Sequence, residues 1–245
     1  YGFVVPFVNE LMKMSQDAGI PVRIRACDTM GYGVPYTEVA LPRSVPGIIY
    51  GLQHYADVES ELLEWHGHND FYKAVANAST AWLYGASAVN CSLLGIGERT
   101  GNIPLEAMVF EYAQLKGTLD GMDTTVITEI AEYYQKEIGY KIPSRTPFVG
   151  KNFNVTRAGI HADGLLKNEE IYNIFDTDKF LNRPVMVAVS NTSGEKAYEE
   201  FCRKQAGMAE IAECDSFIRG VRVGARLLLD IVGDYPSQMP TRIEQ

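Results

Sequence analysis

The sequence is short of positive charge, of long apolar runs and of paired cysteines, and each shortage excludes something. Lysine and arginine total 22 against 31 aspartates and glutamates, for a net charge of −9. Nothing in that balance offers a surface for nucleic acid, whose affinity rests on cationic excess. Small anionic substrates remain open to it, held by a metal or by local donors. No stretch of about 18 apolar residues occurs, which excludes a membrane span. The four cysteines, Cys27, Cys91, Cys202 and Cys214, are scattered without a CxxC pair. They read as free thiols in a reducing cytoplasm, and cytoplasmic is the expected location. No basic stretch leads into an apolar signal core at Tyr1, so nothing indicates secretion. An initiator Met is also lacking and a helix-like segment opens the chain, so a missing beginning is expected. Histidine is scarce at 4 of 245 residues, which makes the place of each one informative.

What is present is an ordinary globular composition, 46% hydrophobic and 22% charged. Its length is close to that of one (β/α)8 barrel. Apolar spacing predicts a helix over 5–18 that stops at Gly19, then a strand over Val22–Cys27 leading to Asp28-Thr29. A helix over 42–57 carries Pro46 in its first turn. A second strand covers Glu61–His68. Asn69 or Asp70 can cap the next helix, which runs to Gly85. A third strand, Ala88–Leu93, enters Gly95-Ile96-Gly97-Glu98-Arg99-Thr100-Gly101-Asn102, and a helix then runs from Leu105 to Gly117. Strand–helix alternation with short connections implies a parallel sheet. Only three such units fit before Gly117, and three strands cannot close a barrel. Beyond lie a helix over 123–139, a Pro/Gly-punctuated stretch over 142–164, and helical signals at 168–175, 195–206 and, more weakly, 208–232.

His66-Gly67-His68 carries the strongest chemical signal. Residues i and i+2 of a strand share a face, so both imidazoles converge at the carboxyl end, where parallel α/β folds do their chemistry. Two neutral imidazoles so placed are a way to hold a divalent metal. The alternative is a polar strand-end turn bonded to backbone, and the position favours metal. His54, on a helix without a partner, reads as surface. The glycines at 95, 97 and 101 permit close backbone approach and exposed N–H groups. They do not match the dinucleotide fingerprint. Glu98–Arg99 can equally be a surface pair in a glycine-rich turn, and Asp28-Thr29 alone reads as a turn. His161 sits in a glycine-bracketed loop, with Tyr172 eleven residues on at the expected start of a helix.

Together and in this order, Cys27–Gly33, His66–Asp70, Gly95–Asn102 and Gly159–Gly164 resemble the second half of the metal-dependent acyl-CoA condensing enzymes. That family includes the homocitrate, 2-isopropylmalate, citramalate and Re-face citrate synthases. The resemblance runs from about residue 8 to about 190. The texture of Leu41–Pro46, His68–Lys73 and 104–123 looks most like the Re-citrate type, with homocitrate synthase next. It implies an α/β fold: strands 6–8 of a (β/α)8 TIM barrel, then a mainly helical subdomain. The implied division is 1–118 barrel, 119–195 a lid subdomain carrying His161 and Tyr172, and 196–245 a C-terminal helical segment.

The implied activity is condensation of acetyl-CoA with a 2-oxo acid, oxaloacetate to citrate first, followed by thioester hydrolysis. The resemblance gives His66, His68 and Asn102 to the metal, which is Mn2+ or Mg2+ in preference to Zn2+. Thr29 falls to the oxo-acid carboxylate, and Gly97, Glu98 and Arg99 to the substrate loop near acetyl-CoA. His161 and Tyr172 take catalytic proton transfer and are supplied across a homodimer. The family's metal-binding aspartate and catalytic glutamate come from early strands and have no counterpart here. Competing expectations are a retro-aldol lyase or carboxyltransferase of the same superfamily, and an inactive fragment that binds a metal or a partner.

Overall fold

Helix α1 (Val4–Ala18) turns Val8, Met12 and Ser15 inward and ends at Gly19, whose φ of 64° gives the left-handed stop expected there. The computed structural model describes residues 1–156, 161, 164, 165, 167–173 and 175–188. The expected helices at 195–206 and 208–232, the segment 196–245, and Gly159, Ile160, Ala162 and Asp163 lie outside the described residues. The chain divides into two compact units, Tyr1–Phe153 and Asn154–Gln245. The division falls inside the expected 119–195 segment.

In the first unit, β1 (Ile24–Asp28), β2 (Leu63–Gly67) and β3 (Ala88–Asn90) form a parallel sheet in that order. Helices α2 (Val45–His54) and α3 (Ala74–Leu83) make the connections. Leu63 and Trp65 on β2 alternate with Glu64 and His66. The first pair is almost fully buried, with Ile49, Ala78, Ala81 and Ile103. Burying such side chains contributes about 1.5–3 kcal/mol each. Glu64 is gripped by Arg25 at 2.8 Å and Arg23 at 3.1 Å. The Ser44 hydroxyl caps α2 by accepting from the Gly47 N–H, with a proline in the first turn as expected.

Several boundaries differ from expectation for visible reasons. Ser60–Leu62 form a 3-10 turn, so β2 starts only at Leu63. β3 stops at Asn90 because Ser92 turns to another partner: its N–H donates to Ile103 O and its carbonyl accepts from Leu105 N–H. α3 has no side-chain cap on its flanking residue, Lys73. Asn69 only reaches the Ala74 N–H, at 3.4 Å, and Asp70 is drawn instead to Arg99. α4 (Leu105–Lys116) ends at Gly117 as expected, and α5 (Val126–Lys136) follows. His54 lies on the surface, its ring 4.2 Å from that of Tyr50.

In the described part of the second unit, β4 (Val155–Thr156) pairs in parallel with β5 (Met186–Val187), a small sheet the sequence pattern does not announce. Leu165, Val185 and Val187 form its apolar cluster. The helix expected over 168–175 shrinks to a 3-10 turn, Glu169–Ile171, and Tyr172 closes that turn instead of starting a helix. The Asp176 carboxylate soon begins a separate short helix, Thr177–Leu181, by accepting from the Asp178 and Lys179 N–H groups. Among the described residues no helix is long and apolar enough to cross a membrane.

Candidate metal centre at the strand ends

The end of β2 is built by register. Cys27 and Asn90 flank His66, and Asp28 flanks Gly67. The Asp28 carboxylate accepts from the Tyr32 and Gly33 N–H groups, the turn its sequence suggests, while its carbonyl takes the His68 N–H. Beyond β2, His68 makes a bridge with Asn102, and Asn69 donates its N–H to Gly101 O. The glycine-rich loop is thereby stitched to the histidine strand.

The imidazoles converge as alternation predicts, with His66 Nε2 and His68 Nε2 3.2 Å apart. At metal–nitrogen distances of about 2.1 Å, nitrogens 3.2 Å apart subtend roughly 100°, between octahedral and tetrahedral angles. The pair therefore fits one shared divalent ion. His66 Nδ1 lies 2.8 Å from Asn90 Oδ1; a proton donated there leaves Nε2 with its lone pair. Such a partner on the far ring nitrogen is what orients a ligating histidine. The amide nitrogen of Asn102 lies 3.5 Å from His66 Nε2 and 3.4 Å from Gly67 O. With its amide turned over, Asn102 can offer an oxygen. Among the described residues no group of three His, Cys, Asp or Glu could hold a metal ion, so the donors in hand are two imidazoles and one amide.

The loop closes over these donors through two glycines. A Cβ on Gly97 would meet Asn102 Oδ1 at 1.6 Å. Gly101 has a φ of 96°, and a Cβ there would stand 2.1 Å from Gly95 O. Glu98 faces solvent, its side chain 81% exposed and 3.7 Å from Arg99. Arg99 is the better organised of the two. Its Nε donates to Asp70 Oδ1 at 2.8 Å, and its Nη2 faces Thr29 O at 2.6 Å, Asp70 Oδ2 at 3.1 Å and His68 Nδ1 at 3.1 Å. The guanidinium holds the Asp70 carboxyl below its ordinary range, and Asp70 in turn raises Arg99. Thr29 is exposed just past the end of β1.

The structure thus gathers Thr29, His66, His68, Gly97, Arg99 and Asn102 at one end of the sheet, with Glu98 at its margin. In the second unit His161 and Tyr172 come together, their ring centroids 4.5 Å apart. Sequence reasoning missed Asn90 and the role of Asp70. Strand register points to the first. No local signal points to the second, whose partner lies 29 residues away.

Paired imidazoles at the carboxyl ends of parallel strands are donors of the type that can hold a divalent metal. Residues 4–133 match the HMGL-like family, and the chain belongs to it. It is 71% identical over 194 residues to the citrate (Re)-synthase of Clostridium kluyveri, covering 79% of this chain and 43% of that protein. Identity to the citrate (Re)-synthase of Syntrophus aciditrophicus is 53% over 221 residues, 90% of this chain and 35% of that one. The 2-phosphinomethylmalate synthase of Streptomyces hygroscopicus is 36% identical over 210 residues, 84% of this chain and 47% of that one. The chain spans less than half the length of each of these relatives.

Proposed function

We propose that these residues are the metal-carrying part of a transferase that condenses acetyl-CoA with a 2-oxo acid, oxaloacetate giving citrate. The observation that carries this reading is the 3.2 Å convergence of the His66 and His68 nitrogens at the strand ends. The likeness to two citrate (Re)-synthases supports the choice of substrate.

In this reading β1–β3 are strands 6–8 of a (β/α)8 barrel. The outer edge of β1 carries no partner strand among the described residues and borders an apolar groove of about 810 Å³ lined by Phe7, Leu11, Ile24 and Trp65. Residues 1–118 then form barrel, 119–195 the lid subdomain, and 196–245 a C-terminal segment. His66, His68 and Asn102 hold the divalent ion, Mn2+ or Mg2+ before Zn2+. When bound, that ion supplies Lewis-acid polarisation of the ketone.

The chain's own residues do the rest. Thr29 lies at the strand ends, where its hydroxyl can donate to the substrate carboxylate. Gly97 lets the loop close on Asn102, and the Gly97–Arg99 backbone offers N–H groups to an anionic substrate. His161 is the proton carrier, with Tyr172 against its ring to orient it, and a homodimer exchanges this pair between its copies.

Thiol release from acetyl-CoA, measured with oxaloacetate, 2-oxoglutarate, 2-oxoisovalerate and pyruvate, tests the proposal. The full-length parent protein is expected to turn over oxaloacetate and to stop on addition of EDTA. The 245 residues alone are expected to show little turnover. Activity that survives chelation, or that requires 2-oxoisovalerate, refutes the reading.

A further inference from the structure

The two histidines are not held in the same chemical state. Asn90 offers His66 an acceptor, Oδ1, so His66 carries its proton on Nδ1 and keeps the Nε2 lone pair. Arg99 offers His68 a donor. A guanidinium has no acceptor and does not deprotonate, so a hydrogen bond from Nη2 across this 3.1 Å contact needs a lone pair on His68 Nδ1. A neutral His68 then bears its proton on Nε2, pointing at His66 Nε2 3.2 Å away. The chain of bonds is self-consistent from Asp70 through Arg99, His68 and His66 to Asn90. It leaves one imidazole ready for a metal and the other blocked by its own proton.

We propose that Arg99 is a positioning residue that locks His68 in the Nε2–H tautomer and so competes with the metal for it. The inference rests on the metal reading of the His66–His68 pair. Loading requires Arg99 to release Nδ1, the Nε2 proton to leave to water, and Nδ1 to take a proton from water. His68 is neutral before and after, with no net change in its proton count. Release is feasible because Nη2 is oversubscribed, having two hydrogens and three acceptors within 3.1 Å. Letting go of His68 leaves Thr29 O and both Asp70 oxygens bonded. The lock weakens apparent metal affinity by the reciprocal of the unlocked fraction, so an unlocked fraction of about 10% means about tenfold.

The test uses the 245-residue chain, with ring 15N–1H correlation spectra for tautomers and calorimetric titration with Mg2+ and Mn2+. Without metal, His68 is expected as Nε2–H and His66 as Nδ1–H, and added Mg2+ should convert His68 to Nδ1–H. Arg99→Met should shift His68 towards Nδ1–H without metal and tighten Mn2+ binding about tenfold. Arg99→Lys separates the lock from plain charge repulsion. It keeps the charge but loses the guanidinium fork, so it should also bind more tightly than wild type. A metal-free His68 found as Nδ1–H overturns the proposal, as does an Arg99→Lys protein that binds as weakly as wild type. If neither histidine responds to metal in any variant, the metal reading fails, while the metal-free tautomers still decide what Arg99 does.

Discussion

Placing a methyl group on Gly97 tests how tightly the loop is built around Asn102. The backbone at Gly97 is not in the left-handed region, so alanine brings no conformational strain of its own. The cost is steric, because the new Cβ would meet Asn102 Oδ1 at 1.6 Å and Cγ at 2.7 Å. The loop cannot simply back away. Gly101 N–H is bonded to Glu98 O at 2.9 Å and Asn102 N–H to Gly95 O at 2.9 Å, with Gly101 hard against Gly95 O. Overpacking of this kind costs about 1–3 kcal/mol, or about 2 kcal/mol here. The Asn102 hydrogen bonds at 3.4 and 3.5 Å are long and add little. That loss corresponds to a fall in melting temperature of roughly 4–8 °C for a unit of this size. The decisive assay is a double-mutant cycle by urea unfolding. In an Asn102→Ala background the nearest atom left to the new Cβ is the backbone nitrogen of residue 102, at 3.2 Å. Gly97→Ala should then cost less than about 0.5 kcal/mol, a coupling well above the scatter of independent sites. Equal costs in both backgrounds, or no cost in the wild type, would show that Gly97 is not there for Asn102.

Three further outcomes follow from the titrating groups. Hydrogen bonds from Arg25 and Arg23 hold the Glu64 carboxyl below its usual range. Its stabilisation is therefore complete above the unfolded value near 4.3 and is lost as pH falls through the lower folded value. Glu64→Gln should cost about 1 kcal/mol at neutral pH, and progressively less in acid, by urea melts. Burial pushes the Glu106 carboxyl up, with the Leu94 N–H bond only partly opposing it. The sign reverses here, since the folded chain binds the proton more tightly and stability falls as pH rises from the unfolded value through the folded one. Glu106→Gln should accordingly exceed wild type in melting temperature near neutral pH and match it in acid; a variant less stable at neutral pH contradicts this. Burial and the Glu106 charge raise the Cys91 thiol to about 11. At pH 8 only about one Cys91 in a thousand is thiolate. Peptide mapping after iodoacetamide should show exposed Cys27 labelled and Cys91 protected until the chain unfolds.

What could be read in the sequence was local. The i, i+2 alternation of His66 and His68, the glycine stops after α1 and α4, and the apolar faces of the helices follow from periods of 2 and 3.6 within single elements. What could not be read depended on register or distance. Asn90 matters because it sits beside His66 across β2 and β3, and a one-residue slip would turn it to the other face. Asp70 sat next to the motif but looked like a helix cap, because its real partner arrives from the far side of the loop. The helix expected over 168–175 is a 3-10 turn at Glu169–Ile171, and the Asp176 carboxylate caps a separate helix after it. The Glu98–Arg99 pair shows the limit from the other side. Adjacency suggested one unit, yet Glu98 stays in solvent while Arg99 reaches into the site.

That division bears on how an acidic chain would handle the acidic substrate proposed for it. With a net charge of −9, long-range attraction of a dicarboxylate is not on offer. The strand ends compensate locally: their donors are two imidazoles, an amide and backbone N–H groups. Asp70, reached from His68 through Arg99, is already paired with that guanidinium. Glu98 stays in solvent at the margin. In the proposed metal reading, tight binding therefore needs an anionic donor in addition to His66, His68 and Asn102. In the proposed reaction the chelating oxo acid brings such donors. Metal and substrate affinities at these residues should therefore rise together, each ligand supplying the charge that the other needs.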